Sequence, residues 1–132
     1  MIPMEKTVLI AKCILADMFE CNINVFETNY TRAKNVVEAR RFLTYFLYKE
    51  LGIKYTDIPR YIPALTNHAT AIHHCRKLEW YLEKEQATEI KYVQFKEMVV
   101  NDNSLSVEKE IQQLNIQRQI IKKQITKLKQ LI

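Results

Sequence analysis

The sequence predicts an all-α protein: a small helical bundle containing a helix-turn-helix, followed by a long C-terminal helix. Three observations carry this. Only one Gly and three Pro occur in 132 residues, too few for the glycine-bearing turns of an antiparallel sheet. Apolar residues recur at i, i+3, i+4 spacing through several long stretches. From Val107 onward the chain contains neither Gly nor Pro. With 48% apolar residues there is enough material for a core, and the length suits one domain with an appendage. We divide the chain into a helix-turn-helix domain over 1–85, a connector over 86–103 and an association segment over 104–132.

The first helix spans Glu5 to about Glu20, with Leu9, Ile10, Cys13, Ile14, Met18 and Phe19 as its expected buried face. Residues 21–29, CNINVFETN, read as a loop or short turn, and YTRAKN, 30–35, as a basic linker. The next helix, 36–51, puts Val37, Arg40, Phe42, Leu43, Phe46, Leu47 and Leu51 on one broad face. Gly52 ends it, because Gly takes a left-handed conformation without steric cost. A short helix lies within 53–63, capped by Thr56 or Asp57, with Pro59 in its first turn and Ile58 and Ile62 inward. After a tight connection, Thr66 or Asn67 caps a helix running to about Glu85. Its core side is Ala71, Ile72, Cys75, Leu78 and Leu82. Of the neighbours His73 and His74, one is expected packed and one solvated; Trp80 and Tyr81 are expected in the core or at its edge. Residues 90–100 permit either a strand or a helix. NDNS, 101–104, is a break with an N-cap signal. Val107, Ile111, Leu114, Arg118, Ile121, Ile125, Leu128 and Ile132 then step by 4 and 3 alternately, a heptad seam with one charged interruption, while Ile116, Ile120 and Leu131 fall off it and leave a wider interface or packing against the domain as the alternative.

The net charge is +5, and it is uneven. Residues 31–84 hold ten Lys or Arg against five acids, whereas residues 1–30 hold two against four. A nucleic-acid surface, if the chain has one, belongs in the middle. There the helix from 66 opens with the small polar groups Asn67, His68, Ala69 and Thr70. Residues that face base edges should be small or hydrogen-bonding: Asn pairs with adenine, and Ala or Thr methyls touch the thymine methyl. Arg and Lys farther out attract phosphate whatever the sequence.

This middle region resembles the C-terminal DNA-binding domain of the bacterial replication initiator DnaA. That family's signature is close to GGRDHTTVLHACRKI; here residues 64–78 read ALTNHATAIHHCRKL. His68, Thr70, His73, Cys75, Arg76 and Lys77 coincide with signature letters. ARRFLTYFLYKEL, 39–51, is similar to the family's long helix, and 23–35 to the loop before it. The resemblance implies a helix-turn-helix whose signature helix enters the major groove, with Asn67, His68, Ala69 and Thr70 at base edges. It implies a backbone contact from Arg41 and a minor-groove contact from the loop, where Arg32 and Lys34 flank Ala33. Arg40 and Lys77 complete the expected backbone set. Ala64-Leu65 replaces the family's Gly-Gly turn, Thr66-Asn67 replaces Arg-Asp, and Ala69 replaces the first Thr. No phosphate-binding glycine loop is present, so the ATPase module is absent.

The expected partner is therefore double-stranded DNA, bound by a dimer formed through 104–132. The expected role is replication or transcription regulation, with a phage or mobile element as a fitting source. The alternative is a structural or adaptor protein that reuses the fold and binds a copy of itself, or a replication or virion protein, through its C-terminal part. No catalytic motif is present and no enzyme is expected. No cofactor is expected either. His73, His74 and Cys75 are adjacent and cannot share an ion, so no metal is expected. Cys13, Cys21 and Cys75 form no Cys-x-x-Cys pair and no signal peptide precedes them, which points to free thiols in the cytoplasm. No apolar run reaches the length of a membrane span.

Overall fold

A computed structural model describes residues 4–102 and 107–130, with the side chains of 107–113 outside the description. Among the described residues every regular element is helical. The chain runs through α1 (Met4–Met18), a 3₁₀ turn (Ile23–Phe26), α2 (Lys34–Lys49), α3 (Ile58–Tyr61), a second 3₁₀ turn (Pro63–Leu65), α4 (His68–Lys84), α5 (Gln86–Asn101) and α6 (Val107–Gln130). It divides into two compact units, one extending to Val99 and one beginning at Val100.

In the first unit α2 is the central helix, buried along most of its length from Val36 to Leu47. It packs on α1 and α4. Gly52 closes it at φ +68°, and the Ile53 N–H returns to the Leu47 carbonyl at 2.9 Å. Ile58 and Ile62 are fully buried as the sequence predicts.

Two expectations shift. The buried face of α1 is Val8, Ala11 and Leu15, continued by Phe19, while Leu9 and Cys13 face solvent. The stretch has two apolar stripes, and the one carrying the small Ala11 allows close helix approach. The described part of the expected connector is a helix, α5, rather than a linker. Residues 90–100 form no strand, and α5 inserts Tyr92, Phe95 and Val99 into the core. Phe42 meets Phe19 and Tyr92 edge-on at 5.1 and 5.6 Å, and Phe46 meets Phe95 at 5.1 Å. The domain therefore continues past Glu85 to Val99, because Tyr92 and Phe95 of α5 pack on the aromatic flank of α2.

The second unit is built on α6, 24 residues long, or about 36 Å at 1.5 Å per residue. Leu114, Ile116, Ile120, Ile121, Ile125 and Leu128 are all exposed on it. The expectations for 103–106 and Ile132, and for the side chains of Val107 and Ile111, lie outside the described residues. Among the described residues no helix is long and apolar enough to cross a membrane.

Candidate nucleic-acid interface

The front of α4 is built by a strained turn. Pro63 opens the 3₁₀ turn with its fixed φ. Thr66 then adopts φ 58° and ψ −38°, and the Asn67 N–H returns to the Leu65 carbonyl. This is a γ-turn with positive φ, which a β-branched residue adopts only against steric resistance. Asn67 follows in an extended conformation as the N-cap. Its Oδ1 accepts from the Thr70 N–H at 3.0 Å and from the Thr70 hydroxyl at 3.3 Å. The capping role assigned to Thr66 or Asn67 thus falls to Asn67. Bidentate pairing of Asn67 with adenine is disfavoured by this geometry, because Oδ1 already serves the helix and only Nδ2 is left for a ligand. His68 and Ala69 are exposed, and Thr70 is half-buried.

The basic residues separate into three environments. Arg40 is only 5% exposed. Its Nε donates to the Val25 carbonyl at 2.8 Å, and Nη1 and Nη2 donate to the carbonyls of Thr31 and Thr28 at 2.9 Å each. This residue pins the loop before α2 with all three guanidinium nitrogens and is nearly buried, which counts against its assignment to backbone contact. Sequence spacing puts Arg40 on a helix face but not against the carbonyls of a loop folded over it.

Arg32 is exposed in that pinned loop. It lines a depression of about 230 Å³ with Thr66, Thr70 and His74, at the front of α4. Lys34 and Arg41 lie elsewhere, around a depression of about 290 Å³ also lined by Glu38, Tyr81, Glu85 and Lys91. Arg41 is half-buried, its guanidinium 5.4 Å from the centre of the Tyr81 ring, and its Nε has no hydrogen-bond partner. Lys77 is exposed and approaches the same ring at 5.9 Å. Arg32 therefore stands with the expected base-edge residues, while Lys34, Arg41 and Lys77 gather around Tyr81 or beside it.

The two histidines divide as expected: His74 is buried and His73 exposed. Burial, reinforced by Arg41, His73 and Arg40, pushes the His74 pKa down to about 4, so the ring is neutral near pH 7. Cys75 is buried beside it, and burial drives its thiol up to about 12. Cys13 is exposed rather than packed. Among the described residues no group of three or more His, Cys, Asp or Glu is placed to hold a metal ion.

Three residues on the outward side escaped the sequence assignment. His73, Arg76 and Trp80 line a surface groove with Lys77. Trp80 is 53% exposed, not a core or edge aromatic. The signal was available in the spacing: 69, 73, 76 and 80 step by i+4, i+7 and i+11, opposite the stripe Ala71, Cys75, Leu78. Comparison of the chain with protein-family models and with curated proteins finds no match in either.

Proposed function

We propose that this chain is a sequence-specific double-stranded DNA-binding protein, a stand-alone reader of the DnaA type that uses α4 in the major groove. The supporting observation is the outward side of α4. It exposes an uncharged front turn, Asn67 to Ala69, and carries Arg76 and Lys77 about two to three turns farther along. Bases would meet His68, Ala69 and Thr70, with the Nδ2 amide of Asn67. Phosphates would meet Arg32, Arg76 and Lys77, with Lys34 and Arg41 beside the Tyr81 ring. This arrangement places discrimination at the front of the helix and sequence-independent attraction behind it.

The exposed apolar side chains of α6 support self-association through 104–132, giving a dimer that reads two half-sites. Regulation of replication or transcription in a bacterial cytoplasm, for a phage or mobile element, is the role this reading favours. Selection of bound sequences from a random duplex pool, using the full-length chain, tests it. A recovered motif on the expected DNA supports the reading. A pool that stays random, with no retention of duplex at low salt, leaves the structural or adaptor reading instead.

A further inference from the structure

The groove on the outward side of α4 carries an aromatic ring that base-edge reading does not use. It has a volume of about 320 Å³ and is lined by His73, Arg76, Lys77 and Trp80. An exposed Trp alone needs no explanation; the setting of this one does. Trp80 is 53% exposed and meets Tyr81 edge-on at 5.2 Å, a contact that occupies at most one face of the indole. Arg41 and Lys77 lie over the Tyr81 ring, 5.4 and 5.9 Å from its centre. A flat aromatic face is thus open to solvent, with Arg76 and Lys77 one turn before it. Glu83, one turn beyond, is exposed but outside the lining, so the positive charge lies on one side of the ring. Trp80 also lies about 20 Å along the helix from Asn67, at 1.5 Å per residue. At that distance it does not meet the base pairs that the front turn reads.

We infer that this groove binds single-stranded nucleic acid, with an unpaired base stacked on Trp80 and the adjoining phosphate held by Arg76 and Lys77. Base pairs in a duplex hide their π-faces in the stack, so only an unpaired base offers one to the ring. A positively charged groove with an aromatic platform holds a strand without reading its sequence, because every base has a π-face. A row of phosphates matches a groove whose lining holds Arg and Lys and no carboxylate. The inference shares Arg76 and Lys77 with the proposed duplex reading, but only the unpaired strand requires the ring.

Trp80 is the single Trp in the chain, so intrinsic fluorescence reports the contact directly. The full chain is titrated with oligothymidylate and, separately, with oligouridylate, each about 12 nucleotides long, within the roughly 4–16 that single-strand sites cover. Stacking is expected to quench the emission, and the strand that binds identifies DNA or RNA as the source. Anisotropy of the labelled strand then compares variants whose fold is checked by circular dichroism. Trp80→Ala should weaken single-strand binding by at least about fivefold, the lower end of the stacking contribution per base. Trp80→Phe should weaken it less, and neither should change binding to random duplex. Should Trp80→Ala fail to fold, quenching of the wild type and the affinity of Trp80→Phe decide. Strand binding without quenching, or equal losses on single strand and duplex for Trp80→Ala, overturns the inference. So does an emission that ignores both strands and shifts with protein concentration, which gives the ring to a second protein chain. No single-strand binding with duplex binding intact overturns this inference alone. Single-strand binding with no retention of duplex overturns the proposed duplex reading alone and upholds this one.

Discussion

The two sides of α4 carry similar residue types and put them to opposite uses. The inward side holds His74 and Cys75, both buried, the ring neutral and the thiol protonated near pH 7. The outward side holds His73, Arg76 and Lys77 in solvent beside an exposed Trp80. α2 repeats the lesson with Arg40 and Arg41, adjacent in sequence. One is consumed by three loop carbonyls, and the other leans on Tyr81 with an unpartnered Nε. A basic residue here is a DNA candidate only by virtue of the side it occupies. The inward set should control stability and leave binding alone; the outward set should do the reverse.

The sharpest break between the sets is Arg40→Ala. It strands the carbonyls of Val25, Thr28 and Thr31, each of which accepts a charge-assisted bond, and should cost at least about 3 kcal/mol in urea unfolding. Arg40→Lys should recover little, since an ammonium does not reproduce the planar fork. A loss below about 1 kcal/mol for Arg40→Ala would place Arg40 with the outward set after all.

His74 makes the next prediction. Its folded pKa, about 4, lies below the ordinary 6.5. The unfolded chain therefore binds more protons between these values, and stability falls as pH drops from about 6.5 to 4. At roughly 1.4 kcal/mol per pKa unit, this amounts to at most about 3 kcal/mol. His74→Asn should remove that part of the acid sensitivity and His73→Asn should not, as read from unfolding midpoints across this pH range. Identical acid profiles for the wild type and His74→Asn would mean the ring is not buried neutral.

Asn67 sits where the two sets meet. Asn67→Ala loses a helix cap, worth about 1 kcal/mol. Asn67→Ser keeps an oxygen for capping and removes only Nδ2. It should stay within about 0.5 kcal/mol of wild-type stability while relaxing preference at one base position. Equal destabilisation by Ala and Ser would show that the Oδ1 bond is not what holds the turn. The change expected at the neighbouring Thr66 has the opposite sign. Thr66→Gly relieves a positive φ and should raise stability by about 0.5–1 kcal/mol, the relief exceeding the entropy glycine adds to the unfolded chain.

Much of the frame was legible before the structure. Gly52 as a left-handed stop, Ile58 and Ile62 as inward residues, and a cap at Thr66 or Asn67 all follow from local chemistry that needs no tertiary knowledge. What escaped depended on distant packing. The β-branched and aromatic residues of 90–100 suit strand or helix equally, and the flank of α2 that selects the helix is visible only after folding. On α1, two apolar stripes compete, and helix–helix proximity chooses between them. The fate of Arg40 depended on a loop folding over α2. Arg76 and Trp80 are readable from helical spacing, which puts both opposite the stripe Ala71, Cys75 and Leu78.

The most direct measurement is the salt dependence of duplex binding by the wild type and by Arg76→Ala/Lys77→Ala. Both side chains are exposed, so the fold should survive. Each phosphate contact contributes about 0.9 to the slope of log K against log salt. The double variant should therefore bind duplex more weakly, with a slope shallower by about 2. An unchanged slope, or a wild type that binds no duplex at low salt, would contradict the assignment of the outward side of α4 to DNA.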